Sequence, residues 1–273
     1  ACGSGSFLIG AYGFLLDWHL DKYLADDPKK WSKTKPPRLR QIGNGWTLTI
    51  AERKRILLAH IYGVDIDAQA VEVTKLSLLL KVLEGEDEQS VSSQMALIHE
   101  RVLPNLANNI KCGNSLIAPD FYEGKQLGLL DEEELYRVNA FDWQHEFPEI
   151  MKQGGFDAVI GNPPYVSYYS KKAVVLPHEL RKYYQSHFHF IPDSSFKSMN
   201  TIMLFLEKAT KLVHKTGIFS FIIDIGFCET VYQPIRKYLS QYSVFEILHG
   251  ISVFQGVKSG QIILKASSSQ NIS

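Results

Sequence analysis

An α/β fold, with a mostly parallel, twisted sheet and helices on both faces, is predicted by three features of the sequence. Apolar runs of strand length alternate with segments of helical periodicity. These runs stop abruptly at glycines, acids or amides, the residues that end strands. The stops at residues 1–6, Asp65, residues 114–115 and residues 162–165 would all lie at strand carboxyl ends, the edge where such sheets collect ligands.

Along the chain, Phe7, Leu8, Ala11, Leu15 and Trp18 recur at helical spacing and predict a helix over 6–24. Residues 26–45, rich in Pro, Lys and Gly, read as an irregular surface excursion. A helix over 49–60 leads into an apolar strand over 60–65. Asp67 then caps a helix that runs through Leu76, Leu79 and Leu83 to Gly85. Residues 86–108 are polar, 109–116 read as a strand and turn, and 120–150 as acidic and irregular. A buried strand over 156–160 precedes a loop rich in Tyr, Lys and His. A helix over 200–213, a strongly apolar strand over 217–225, a helix over 230–242 and two or three strands over 244–264 complete the alternation.

The chain has 273 residues, 45% hydrophobic and 21% charged, with 29 basic and 29 acidic side chains and zero formal net charge. That balance neither announces nor excludes a nucleic-acid partner, since a local basic patch suffices. Cys2, Cys112 and Cys228 lack metal or disulfide spacing and read as free thiols of a reducing cytoplasm. No run has the length of a membrane span, and no internal repeat is visible. Both ends read as cuts through a larger protein.

Four features carry chemistry. The turn Ala1-Cys2-Gly3-Ser4-Gly5-Ser6 lets backbone approach a ligand closely, and the helix after it offers unpaired N–H groups; a plain strand-to-helix turn would look the same. Asp65 suits the two hydroxyls of a ribose, whereas Asp67 reads as a helix cap only. Asn114 and Ser115 suit an adenine edge or a simple turn. Asn162-Pro163-Pro164-Tyr165 discriminates best. Two prolines fix a stiff bracket without N–H donors, so the Asn162 side-chain oxygen and the Pro163 carbonyl become two acceptors for one NH2 group. Accepting both N–H bonds frees the lone pair of a ring-conjugated amine, and Tyr165 can stack on that ring.

With these residues the sequence resembles the amino-methylating, S-adenosylmethionine-dependent DNA methyltransferases. It is most similar to the adenine-N6 enzymes of restriction–modification systems, particularly the methylase part of fused type IIG proteins. Residues 1–7 resemble the end of their first cofactor motif, 62–67 (YGVDID) the second, 111–116 (KCGNSL) the third and 161–166 (GNPPYV) the catalytic motif. Residues 217–227 with Tyr232, Arg236 and Leu239 resemble the next strand–helix unit, and 253–258 (VFQGVK) a target-pocket motif.

The resemblance implies a Rossmann-like class I fold whose first strand is missing, and residues 1–273 as a partial catalytic domain. A target-recognition domain is expected after residue 273. It implies that Ala1, Gly3, Gly5, Ser6, Asp65, Ile66, Asn114 and Ser115 bind S-adenosyl-L-methionine. Asn162, Pro163 and Pro164 would present the amine acceptors, with Tyr165 and Phe254 flanking the target base. DNA is the implied partner, with a fused or separate restriction nuclease, a cytoplasmic setting and no metal. Asp224 departs from the family's proline or small residue.

Lys171, Lys172, Arg181 and Lys182, interleaved with Tyr168, Tyr169, Tyr183 and Tyr184, form the candidate DNA-contact segment, or a solvated loop. Residues 119–125 (PDFYEGK) imitate a nuclease site with spacing that is too short, and His187-Phe188-His189 lacks a third metal ligand. Three alternatives stay open: methylation of a release-factor glutamine or a ribosomal RNA base, methylation of cytosine N4, and a fragment that only binds cofactor or DNA.

Overall fold

Helix α1 (Ser6–Ala25) begins where the sequence predicts, directly after the glycine turn. The protein is described here by a computed structural model covering residues 2–87, 91, 103–123, 137–166, 176–189, 200–242, 244–251 and 260–267. The chain forms one unit over Cys2–Gly113 and another over Asn114–Ser273.

In the first unit α1 is followed by α2 (Pro28–Ser32), the hairpin β1 (Leu39–Ile42) and β2 (Gly45–Leu48), α3 (Ile50–His60), β3 (Gly63–Asp65), α4 (Ala68–Leu83) and β4 (Ile110–Cys112). The excursion expected over 26–45 is therefore ordered. Asp27 caps α2 by accepting the Lys29 N–H, with Pro28 at the first helical position. The two-residue loop Gly43-Asn44 turns the hairpin, in which Leu39 and Leu48 are paired and both buried.

Strands β3 and β4 are parallel, with Asp65 opposite Cys112. On the other edge of β3, the Cys2 N–H donates to the Val64 carbonyl at 3.1 Å. Helix α1 lies against β3 because Gly63 has no side chain: a Cβ there would stand 2.6 Å from Leu8 Cδ1. Helix α4 starts at its Asp67 cap as expected, but buries Val71, Thr74, Leu78 and Val82, leaving Leu76 exposed. Spacing of three to four residues selects that stripe, offset from the one the leucines suggested.

The second unit contains α5 (Trp143–Glu146), α6 (Pro148–Lys152), β5 (Phe156–Gly161), α7 (His178–His187), α8 (Thr201–Leu212), β6 (Val213–Asp224), α9 (Gln233–Leu239), β7 (Val244–Ile251) and β8 (Gln261–Ser267). Its sheet runs β5-β6-β8-β7. Only β5–β6 is parallel; β8 is antiparallel to both neighbours. Together with the β3–β4 pair, the architecture is mixed α/β, with antiparallel pairing replacing the expected parallel order at β6–β8–β7.

Phe219 and Ile223 of β6, Leu264 of β8, Leu204 of α8 and Ile235 of α9 meet in the core. Strand β5 pairs on one edge among the described residues, which leaves Ile160 40% exposed where a buried strand was expected. Helix α7 replaces part of the predicted loop, because Tyr183 and Tyr184 turn inward and bury. No helix among the described residues is long and apolar enough to cross a membrane.

Candidate active site

In the first unit the glycine turn is knitted to β3 and α4. Gly5 N–H donates to the Cys2 carbonyl at 3.1 Å, closing the turn, and Ile9 N–H donates to the Gly5 carbonyl at 2.8 Å, opening α1. Gly3 N–H donates to Asp65 Oδ2 at 2.7 Å, and the Gly3 carbonyl accepts from Thr74 Oγ1 at 3.0 Å. Gly5 has φ +84, and a Cβ on it would lie 2.7 Å from Thr74 Cγ2, so this position requires glycine twice over.

Asp65 is 6% exposed and accepts a second backbone bond, from Asp67 N–H to Oδ1 at 3.0 Å. A carboxylate has about four acceptor positions, so each oxygen retains one. Burial first, and the Asp65 charge second, push the Cys2 thiol above its ordinary value and keep it protonated. Gly3 and Ser6 are exposed, no side chain caps α1, and Ile66 at the end of β3 is 49% exposed. Ala1 lies outside the described residues.

The second unit carries the acceptor group. β5 ends at Gly161, and Asn162 follows with its Oδ1 buried and without a hydrogen-bond partner. Pro163 is buried and Pro164 exposed. Tyr165 is 39% exposed, while its hydroxyl donates to the Ile222 carbonyl of β6 at 3.0 Å. Burial, then the charge of Asp224, push this phenol up to about 12. Asp224 itself caps the 3-10 turn Ile225–Cys228 by accepting the Gly226 N–H at 2.7 Å, which accounts for an acid at this strand end.

Thr201, the first residue of α8, bonds the chain on both sides of Tyr165. Its Oγ1 donates to the Pro164 carbonyl and accepts the Val166 N–H at 3.0 Å. Neither Thr74 nor Thr201 is marked in the sequence, since each meets a partner 71 or 37 positions away only once the chain has folded.

Asn114 and Ser115 follow β4 as expected, and the plain-turn role is present. Asn114 Oδ1 accepts the Leu116 N–H at 3.1 Å, and the Ser115 carbonyl accepts from Trp143 Nε1 at 3.1 Å. Arg181 and Lys182 are exposed on α7, but Tyr183 and Tyr184 are core residues, so the expected basic–aromatic alternation is lost there. Lys171, Lys172 and Phe254, like Tyr168 and Tyr169, lie outside the described residues. Asp120 accepts from the Tyr183 hydroxyl and faces His187 Nε2 at 2.9 Å, whereas His189 Nδ1 meets Glu207, so the two histidines turn to different partners. No cluster with metal-ligand composition occurs among the described residues.

The fold is shared with part of a solved restriction–modification enzyme. The chain superposes over 99% of its length on LlaGI, a Type ISP restriction–modification enzyme solved as a nuclease-deletion mutant with a DNA substrate mimic. The TM-score is 0.61 at 11% identity, over 20% of that chain. The family model of the Eco57I restriction-modification methylases matches residues 59–254, and the chain belongs to this family. It is 30% identical over 243 residues to the type II restriction enzyme and methyltransferase RM.Eco57I of Escherichia coli. That match covers 88% of this chain and 21% of the relative. To the adenine-specific methyltransferase PglX of Streptomyces coelicolor it is 24% identical over 183 residues, 66% of this chain and 13% of the relative. The chain thus spans a minor part of the length of both curated relatives.

Proposed function

We propose that the protein transfers a methyl group from S-adenosylmethionine to the exocyclic N6 amine of an adenine flipped out of DNA, as the modification activity of a restriction–modification system. The observation that carries this reading is the buried, partnerless Asn162 Oδ1 at the end of β5, close in sequence to the partly exposed Tyr165. A buried acceptor without a donor costs about 1–3 kcal/mol, a cost that a ligand amine removes on binding.

The residues present fit the cofactor. Gly3 has open space where a Cβ would stand, α1 has no side-chain cap, Asp65 retains one acceptor position on each oxygen, and Ile66 offers an exposed apolar face. Gly3, Gly5, Ser6, Asp65 and Ile66 would hold it; bound there, S-adenosylmethionine supplies a methyl group on a positively charged sulfur.

Asn162 Oδ1 accepts one amine hydrogen and the Pro163 carbonyl the other, so the nitrogen lone pair leaves conjugation with the ring. Tyr165 stacks on the base and contributes about 1–3 kcal/mol, against the few kcal/mol that extrusion costs. Exposed Arg181 and Lys182 supply phosphate contacts. A target-recognition region and a restriction nuclease complete the system.

The test is transfer of labelled methyl to DNA, RNA and a glutamine-containing peptide, followed by nucleoside analysis. Label recovered as N6-methyladenine is expected. Label confined to the peptide, or recovered as N4-methylcytosine, overturns the assignment.

A further inference from the structure

We infer that Thr201 is a positioning residue for methyl transfer, one that holds the backbone on both sides of Tyr165 and presets the plane of its ring. This rests on the reading that residues 162–165 receive a ring-borne amine. Prolines at 163 and 164 fix two φ angles but leave the ψ of Pro164 and the φ of Tyr165 free, and these two angles decide where the ring points. Thr201 controls both. Its hydroxyl donates to the Pro164 carbonyl and accepts the Val166 N–H at 3.0 Å, so one rotor is used in both directions. Its own N–H donates to the Val166 carbonyl at 3.0 Å.

Thr201 is in turn held from behind. It is 6% exposed, and the preceding Asn200 caps α8 by accepting the Ile202 N–H at 2.9 Å. Leu204 and Leu206, one turn on, are fully buried in the core. At its far end the ring is tied by the hydroxyl to the Ile222 carbonyl. The stacking face is therefore pinned at the Cα by α8 and at the phenol by β6. Thr201 touches neither base nor cofactor in this scheme, so its effect falls on turnover and leaves cofactor binding alone.

The intact enzyme is compared with Thr201→Val, Thr201→Ser and Thr201→Cys for kcat, S-adenosylmethionine affinity and hydrogen exchange of the Val166 amide. A misplacement near 1 Å can cost on the order of 10²-fold in rate, so Thr201→Val is expected to lose at least about tenfold in kcat. Its cofactor affinity stays within about twofold, and the Val166 amide exchanges at least about tenfold faster. Thr201→Ser, which keeps the hydroxyl, restores both within about threefold. If Thr201→Val does not fold, Thr201→Cys, with a weaker donor of similar size, is expected to lose at least about threefold in kcat with affinity intact. Wild-type kcat and exchange in Thr201→Val, or in Thr201→Cys where that variant stands in, overturn the proposal. So does a Thr201→Ser variant as impaired as Thr201→Val. If the wild type methylates a glutamine peptide and no adenine, the substrate assignment fails, and the same ratios measured on the peptide decide the role of Thr201.

Discussion

The Gly3 N–H donates to Asp65 Oδ2 at 2.7 Å, tying the turn before α1 to the end of β3 across 62 positions of sequence. The carboxylate thus organises the loop, and in the proposed function it also holds the cofactor. Asp65→Ala should raise the S-adenosylmethionine Kd at least about tenfold, equivalent to about 1.4 kcal/mol. Asp67→Ala removes only the α4 cap, costing about 1 kcal/mol of stability and leaving the Kd within about twofold. Calorimetric titration of both variants separates the roles; equal losses of affinity would refute the division.

Gly5→Ala places a Cβ 2.7 Å from Thr74 Cγ2 at φ +84. The left-handed backbone alone costs about 1–2 kcal/mol, a Tm lower by roughly 2–8 °C for a chain of this size. Gly3→Ala, at φ +55 with nothing within 4 Å of the new atom, should be milder. Thermal unfolding of the pair checks the order.

Stability and activity should move in opposite directions at Asn162. Replacing it with Leu removes a buried acceptor that has no partner, so unfolding stability is expected to hold or rise by up to about 1 kcal/mol. Turnover should fall on the order of 10²-fold or more, the scale seen when one preorganised polar group is deleted. Single-turnover methyl transfer beside denaturant unfolding measures both; a variant that loses stability and keeps turnover contradicts this account.

Burial and Asp224 raise the Tyr165 phenol to about 12 in the fold, above its ordinary value of 10.0. The folded state therefore favours the neutral ring, and the stability this contributes is complete below pH 10 and is lost as pH rises through about 12. Between pH 6 and 9 Tyr165 should contribute no step to the kcat profile, and Tyr165→Phe should have the wild-type shape. Losing the bond to the Ile222 carbonyl lowers kcat by up to about tenfold, for a bond of about 0.5–1.5 kcal/mol. Tyr165→Ala loses the stack as well, a further 1–3 kcal/mol or so. An ionisation in that window that disappears in the Phe variant would refute the assignment.

Much of the local structure was legible because short-range chemistry decides it. Thr49, Asp67 and Asn200 cap α3, α4 and α8 through their own side chains, so those helix starts follow from residue type and position. The hairpin at Gly43-Asn44 and helix α7 were missed for a different reason. Lysines and prolines obscured the paired Leu39 and Leu48, and the aromatic residues of α7 read as a surface until tertiary packing drew Tyr183 and Tyr184 inward. The same packing removed those rings from the basic stretch and showed that Asp224 caps a turn.

Two prolines after an asparagine restrict the backbone wherever the chain goes, so the sequence by itself determined which residues could present acceptors to an amine and which ring could stack. It also determined that Asp65 ends a strand and that Gly3 and Gly5 form the turn before α1, because strand termination and glycine freedom are local properties. Only the tertiary structure decided that Asn162 Oδ1 is buried without a partner, that Asp65 is bonded to Gly3, and that Thr74 and Thr201 arrive to hold the two loops. Those facts depend on where α4 and α8 pack, and packing is settled by the burial of side chains far apart along the chain.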